Sequence, residues 1–146
     1  MSEQWTLIDS NVIVYALYKL SEFHQRSRAL LNRAQAEDAA LCVVPQVLSE
    51  TYAVITDPRR VSPPFTPAEA LDAIERILRM PGLTLFPVPN DVVTRWMELA
   101  RSHPVKGSGV FDLQLVAMML GNGVRKIHTF NRAHFERFPE IEVLTP

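Results

Sequence analysis

The stretch Trp5-Thr-Leu-Ile-Asp9-Ser-Asn-Val-Ile-Val-Tyr-Ala-Leu17 decides how the chain is read. Thr6, Leu7 and Ile8 suit a buried strand that stops at a carboxylate. The apolar run from Val12 to Leu20 then continues without Gly or Pro, as a helix would. Asp9 therefore stands at the C-terminal end of a first strand, the place where open α/β sheets bind their ligands. The competing reading is local: Asp9 or Ser10 caps the following helix, since both are favoured N-cap residues. Which reading holds depends on the other carboxylates that reach the same edge.

Outward from this stretch the pattern repeats. A helix is expected from Gln25 to Ala36, with Leu30, Leu31 and Ala34 as its apolar stripe, and a second strand from Ala39 to Val44. Pro45 suits the first turn of a third helix, running to about Thr56, that buries Val47, Thr51, Val54 and Ile55. Residues 57–64, with three prolines and paired arginines, read as a loop. Thr66-Pro67-Ala68-Glu69 is a capping box opening a helix with Ala70, Leu71, Ile74, Ile77 and Leu78 on one face, stopped by Pro81-Gly82. Leu83 to Val88 reads as a third strand. Asn90 caps a helix to about Ser102 with Val93, Trp96, Met97 and Ala100 inward. After the loop from His103 to Gly109 come an apolar helix from Val110 to Leu120, a strand from Arg125 to Phe130, a short helix from Asn131 to Phe138 and a last strand from Ile141 to Leu144. Strands alternating with helices predict a mostly parallel sheet covered on both faces.

Composition bounds the rest. With 146 residues, 47% hydrophobic and 21% charged, residues 1–146 read as one globular domain. The formal net charge of −1 means that affinity for a polyanion has to come from a local basic patch. The single cysteine, Cys42, lies in the apolar run Leu41-Cys-Val-Val44 and reads as a core residue; the absence of a disulfide framework fits a reducing compartment. The N-terminus has no signal-like segment, and no apolar run approaches the roughly 18 residues of a membrane span. A cytoplasmic protein without membrane attachment is expected.

Three carboxylates and an amide then fall at one edge. Glu50 shares a helix side with Val47 and Val54, where a charge is costly unless paired, bound to a metal or set at a cleft. Asp112 opens an otherwise apolar helix; Asn131 follows the strand Ile127-His-Thr-Phe130. Each has a local alternative, solvation for Glu50 and helix capping for Asp112 and Asn131. Taken together, Asp9, Glu50, Asp112 and Asn131 gather at one end of a parallel sheet. Three close carboxylates repel unless a divalent cation neutralises them, and Mg²⁺ and Mn²⁺ prefer oxygen ligands. Such a set suits metal-assisted attack of water on a phosphodiester.

Asp9-Ser-Asn11 after the first strand, Ser49-Glu50-Thr51, Val110-Phe-Asp112-Leu-Gln-Leu-Val-Ala117 and Thr129-Phe-Asn131-Arg-Ala-His-Phe135 resemble, in order and spacing, the PIN-domain ribonucleases, most closely the VapC-type toxins of toxin–antitoxin pairs. The resemblance covers nearly the whole chain. It implies a three-layer α/β/α sandwich that binds Mg²⁺ or Mn²⁺ and cleaves single-stranded RNA. By position, it makes Asp9, Glu50 and Asp112 the catalytic and metal-binding residues, with Asn11, Thr129 and Asn131 in support. It also implies a cognate antitoxin and a homodimer. Many relatives carry Asp where this chain has Asn131, which puts a second metal in doubt.

Other features carry less. The four histidines, His24, His103, His128 and His134, have no zinc-ligand spacing. Arg59, Arg60, Arg125, Lys126 and Arg132 offer a basic surface for RNA backbone. The helices carrying Leu20, Phe23, Leu30 and Leu31 offer apolar surface to an antitoxin or a second subunit. Two rival functions remain at this stage: a PIN-like module that binds RNA or protein without cutting, and a phosphatase with Asp9 as covalent nucleophile. The second rival lacks the Asp such enzymes carry two residues on, where this chain has Asn11.

Overall fold

The computed structural model describes residues 4–146. Five short strands, β1 (Thr6–Ile8), β2 (Leu41–Val43), β3 (Leu83–Leu85), β4 (Lys126–His128) and β5 (Glu142–Leu144), form one all-parallel sheet in the order β3-β2-β1-β4-β5. The chain steps outward from β1 to β3, then returns to add β4 and β5 on the other side of β1. That reversal makes the gap between the ends of β1 and β4 the topological switch point, where a crevice opens.

Right-handed crossovers put the two halves of the winding on opposite faces. On one face lie α1 (Ser10–Leu17), α2 (His24–Asn32), α3 (Pro45–Ile55) and α4 (Pro67–Leu78); on the other lie α5 (Val92–Ser102), α6 (Val110–Gly121) and α7 (Arg132–Phe135). The packing agrees, with α1 against α2 and α3, α3 against α4, and α5 against α6. The result is the expected three-layer α/β/α sandwich. Strands buried on both faces should be apolar throughout, and Leu7, Ile8, Leu41, Cys42, Val43 and Ile127 are all fully enclosed. Burial pushes the Cys42 thiol up to about 12, consistent with a core residue and not a nucleophile. Among the described residues no helix is long and apolar enough to cross a membrane.

Several boundaries differ from the sequence expectation, each for a local reason. The helix after β1 ends at Leu17 instead of Leu20, where Tyr18 N–H still bonds Val14 O (2.8 Å) but the backbone turns extended; Leu20 is left 75% exposed. The strand expected from Ala39 starts only at Leu41, because residues 37–39 form a 3₁₀ turn and Ala40 takes a left-handed φ of 54° that a strand does not allow. The third strand stops at Leu85, not Val88: Phe86 N–H makes a last bond to Val43 O (2.9 Å), and Pro87 has no N–H to continue. Asn90 caps nothing. Its helix starts at Val92 behind Asp91, and the inward stripe is Val92, Trp96, Leu99 and Ala100, leaving Val93 and Met97 exposed. On α4 the buried face is Ala70, Ala73 and Ile77, with Leu71 outward. The capping box forms as read, with Glu69 N–H on Thr66 Oγ1 (3.2 Å) and Thr66 N–H on Glu69 Oε1 (2.9 Å). Gly82 is required by close approach: a Cβ there would collide with Ala36 O, next to the bond from Gly82 N–H to Ala34 O (2.7 Å).

One buried polar group shapes the pH response. His128 ends β4 inside the core, and its Nδ1 has no hydrogen-bond partner. Burial, with a smaller push from Arg33, brings its pKa down to about 4. The unfolded chain therefore takes up a proton near pH 6.5 that the fold refuses until about 4. This contribution to stability is complete above that window and declines as pH falls through it, by at most about 3 kcal/mol. His128→Leu should flatten this part of the acid limb. Thermal melts across the window should show a smaller loss of Tm for the variant than for the wild type.

Candidate active site

The strand β1 ends at Asp9, whose N–H bonds His128 O (3.0 Å) and so ties the end of β1 to β4 at the switch point. The carboxylate is only 5% exposed. Its Oδ1 accepts Ser10 N–H (2.8 Å), and its Oδ2 accepts both the Thr129 hydroxyl (2.8 Å) and the Asn11 amide (3.2 Å). Asn11 also lies 3.2 Å from Thr129 Oγ1, and its Oδ1 accepts Phe130 N–H (3.1 Å). Thr129, fully buried, accepts Asn131 N–H at 3.0 Å. Asp9 thus caps the start of α1 through Ser10, as the capping reading has it, and also reaches across the sheet to Thr129 and His128 at the end of β4.

Glu50 and Asp112 reach the same edge from α3 and α6. Glu50 is not core-facing, as its spacing from Val47 suggests; it stands exposed at the rim of a cleft while Val47 is buried. Asp112 sits half-buried in the first turn of α6 and makes no capping bond; its Oδ2 lies 3.3 Å from His134 Nδ1 on α7. Asn131 likewise leaves α7 uncapped and has an exposed side chain. Burial drives the Asp9 carboxyl above the ordinary carboxylate value, against the hydrogen bonds from Thr129, Ser10 and Asn11, and the Asp112 charge adds to the rise. Glu50 is raised first by partial desolvation against the cleft wall, opposed by the hydrogen bond with Gln46, with the charges of Asp9 and Asp112 adding to the rise. Asp112 is raised by burial, opposed by His134 and Arg137. The three carboxylates come from distant parts of the chain; the Asp112 charge bears on both Asp9 and Glu50, and the Asp9 charge on Glu50.

Among the described residues no three His, Cys, Asp or Glu side chains stand together in a ready-made coordination set. The fit to Mg²⁺ or Mn²⁺ is therefore one of chemistry. The donors are all oxygens, their charges are unfavourable as they stand, and Asp9 Oδ1 carries a single hydrogen bond, leaving a lone pair free. Glu50 and Asp112, at the cleft rims, would have to turn inward to close the set.

Two clefts meet here. One, of about 710 Å³, is lined by Lys106, Asp112, His134 and Arg137 together with Glu50, Arg60 and Asn131. The other, of about 570 Å³, shares Glu50, Arg60 and Asn131 and runs past Tyr15, Tyr18 and Phe23. Of the five basic residues expected to form a patch, only Arg60 lines these clefts. Arg59 is paired with Asp57 (3.1 Å) and Arg132 with Glu136 (2.7 Å), and Arg125 and Lys126 flank the opposite end of β4. Lys106 and Arg137 were not singled out in the sequence. His134, named there as a dispersed histidine and as part of the last motif, lies beside Asp112. Leu30 and Leu31 are buried in the core and offer no surface, Phe23 is half-buried against Tyr15 and Phe130, and only Leu20 remains free.

Comparison with known proteins gives a consistent family. The PIN-domain family model matches residues 6–141. The chain is 26% identical over 138 residues to ribonuclease VapC48 of Mycobacterium tuberculosis, covering 94% of each. It is 30% identical over 119 residues to ribonuclease VapC43 of the same organism, covering 79% of this chain and 78% of that protein. Among solved structures, the fold is similar to Mycobacterium tuberculosis VapC20, described as a sarcin–ricin loop cleaving toxin (TM-score 0.67, 16% identity, 93% of this chain and 98% of that one). It is also similar to a chain of VapBC2 from Rickettsia felis bound to a promoter DNA fragment (TM-score 0.65, 16% identity, 97% and 98%).

Asp9 predicts a split between stability and ion binding. Because its folded pKa lies above its ordinary value, its contribution to stability is present at low pH and is lost as pH rises through the folded pKa. At neutral pH without divalent metal, Asp9→Asn relieves the buried charge but sets an amide NH₂ against a donor that Asp9 accepts, so the two effects oppose and Tm should shift little. Added Mn²⁺ should raise the wild-type Tm and leave that of the variant unchanged, as differential scanning fluorimetry can read.

Proposed function

Because the chain belongs to the PIN-domain family and lies among its VapC ribonucleases, we propose that it is a Mg²⁺- or Mn²⁺-dependent endoribonuclease that cuts single-stranded RNA as the toxic member of a toxin–antitoxin pair. The observation that carries the reading is the buried Asp9 carboxylate, held at the switch point by Ser10, Asn11 and Thr129, with Glu50 and Asp112 close enough to raise it or be raised by it. A buried carboxylate kept at a strand end against its own desolvation supports a functional placement.

In this reading Asp9, Glu50 and Asp112 hold the cation, which would neutralise their charge and polarise the scissile phosphate. Asp9 is the rigid donor, because its neighbours fix its position. Glu50, exposed and with a raised pKa, is the group best placed to orient water and accept its proton. Arg60, Lys106 and Arg137 supply positive charge for the RNA backbone in a chain of net charge −1. Asn131 contributes its backbone N–H to Thr129 and no charge, which favours one cation over two. The cognate antitoxin, a homodimer and a cytoplasmic location belong to the same proposal. Covalent chemistry at Asp9 is disfavoured, because Asn11 stands where such enzymes carry an acid two residues on.

The test is cleavage of a mixed RNA pool by purified protein in Mg²⁺, in Mn²⁺ and in excess EDTA. Cutting should need the metal. Asp112→Ala should lower it by about 100-fold or more, and Thr129→Val by about 10- to 100-fold through loss of Asp9 support. Arg60→Ala should weaken RNA binding and reduce its salt dependence. Folded, antitoxin-free protein that cuts nothing in either metal would favour a binding module, the reading to which Asn131 and the open carboxylate set lend support.

A further inference from the structure

The aromatic cleft beside the carboxylates has no role in the chemistry above. It lies between the α1–α2 turn and α3, holds about 570 Å³, and opens at the lip formed by Glu50, Arg60 and Asn131. That lip is shared with the basic cleft carrying Lys106 and Arg137. A polymer lying along the basic cleft and passing the carboxylates can continue into the aromatic cleft across the three residues the two share.

We propose that this cleft is a subsite for one unpaired nucleobase next to the scissile phosphate, with Tyr18 as its stacking platform. The inference rests on the ribonuclease reading and extends it to how the strand is held. Charge argues for a base over a phosphate. The cleft is lined by Glu22, an exposed residue, and by Glu50, with Arg60 as the single cation in its lining, so a backbone phosphate is repelled there and drawn to the basic side instead. A base is neutral and planar, and every base has a π-face that stacks on an aromatic ring.

The rings differ in availability. Tyr15 packs on Phe23 (5.3 Å between centroids) and on Phe130 (5.3 Å), and Phe23 packs on Phe130 at 4.6 Å. The Arg26 guanidinium covers Phe23 and Phe130 at 5.6 and 5.5 Å. These three rings form a closed cluster that backs the cleft. Tyr18, half-buried at the end of α1, pairs with no other ring among the described residues and lines the cleft from its side. Glu22 can accept a hydrogen bond from an N–H on the edge of a stacked base.

The test separates this subsite from the nuclease reading. On an Asp112→Ala background, which removes cutting, binding is measured by anisotropy for a mixed-sequence single-stranded RNA. A backbone of equal length and charge without bases serves as the second ligand. Tyr18→Leu, which keeps apolar bulk and so protects the fold, should weaken binding of the base-bearing RNA by about tenfold and leave the abasic strand unchanged. Tyr18→Phe should restore the affinity. Equal effects on both strands, no effect on either, or loss of affinity in Tyr18→Phe as well would overturn the subsite and leave the cleft to a protein side chain. If binding depends on Tyr18 but the wild type cuts no RNA, the nuclease reading falls and the subsite stands. If the wild type cuts RNA and Tyr18→Leu binds and cuts as well, the reverse holds.

Discussion

The structure depends on one constraint, an ionisable carboxylate kept out of water where β1 and β4 part. Winding outward from β1 and then back past it leaves a gap at the ends of these two strands and nowhere else in the sheet. Asp9 closes that gap twice, through its N–H to His128 O and through its carboxylate to Thr129. Each hydrogen bond to the charged group offsets part of its desolvation, and each is stronger than one between neutral partners. Removing Thr129 or Asn11 would leave a buried acceptor short of a partner, a loss of about 1–3 kcal/mol. The raised Asp9 pKa shows that the offset is incomplete. In the proposed function a bound cation would meet that deficit, so the cost to the fold and the capacity for chemistry would have one origin.

The rest of the site is graded around this fixed point. Asp9 is enclosed and hydrogen-bonded from both sides, whereas Asp112 is half-buried and Glu50 stands exposed at the rim. Asp112 sits in the first turn of α6, where the helix dipole favours a negative charge. Its contact with His134 ties α6 to α7. Glu50, Arg60 and Asn131 mark the line where a basic cleft meets an aromatic one. A single-stranded nucleic acid has two such surfaces, an anionic backbone and stackable bases, and the division of this edge into a charged half and an aromatic half matches them.

Much of this was legible in the sequence, and the parts that were not share a cause. The alternation of strands and helices, the apolar strands and the capping box at Thr66 are local signals, and they gave the layer order and the parallel sheet. The order and spacing of Asp9, Glu50, Asp112 and Thr129-Phe-Asn131 pointed to one edge because parallel strands all end there. Strand lengths were overestimated, since Ala40 in a left-handed conformation and Pro87 without an N–H cut pairing short in ways that apolar content does not reveal. The inward face of α5 was misassigned because Val92, Val93, Trp96, Met97, Leu99 and Ala100 form two overlapping apolar stripes, and only packing against the core selects Val92, Trp96, Leu99 and Ala100. The basic patch was misread for a different reason: sequence shows a cation but not whether Asp57 or Glu136 already holds it. Lys106, His134 and Arg137 come from the loop before α6 and from α7 and its end, and only the folded sheet brings them to the carboxylates.

The most direct test of the central claim is an anomalous-difference map from crystals of the protein soaked in Mn²⁺. The account predicts one peak between Asp9, Glu50 and Asp112, about 2 Å from Asp9 Oδ1, with Glu50 and Asp112 turned inward from their present positions. A protein that cuts RNA in Mn²⁺ but shows its only peak elsewhere, or none at this edge, would contradict it.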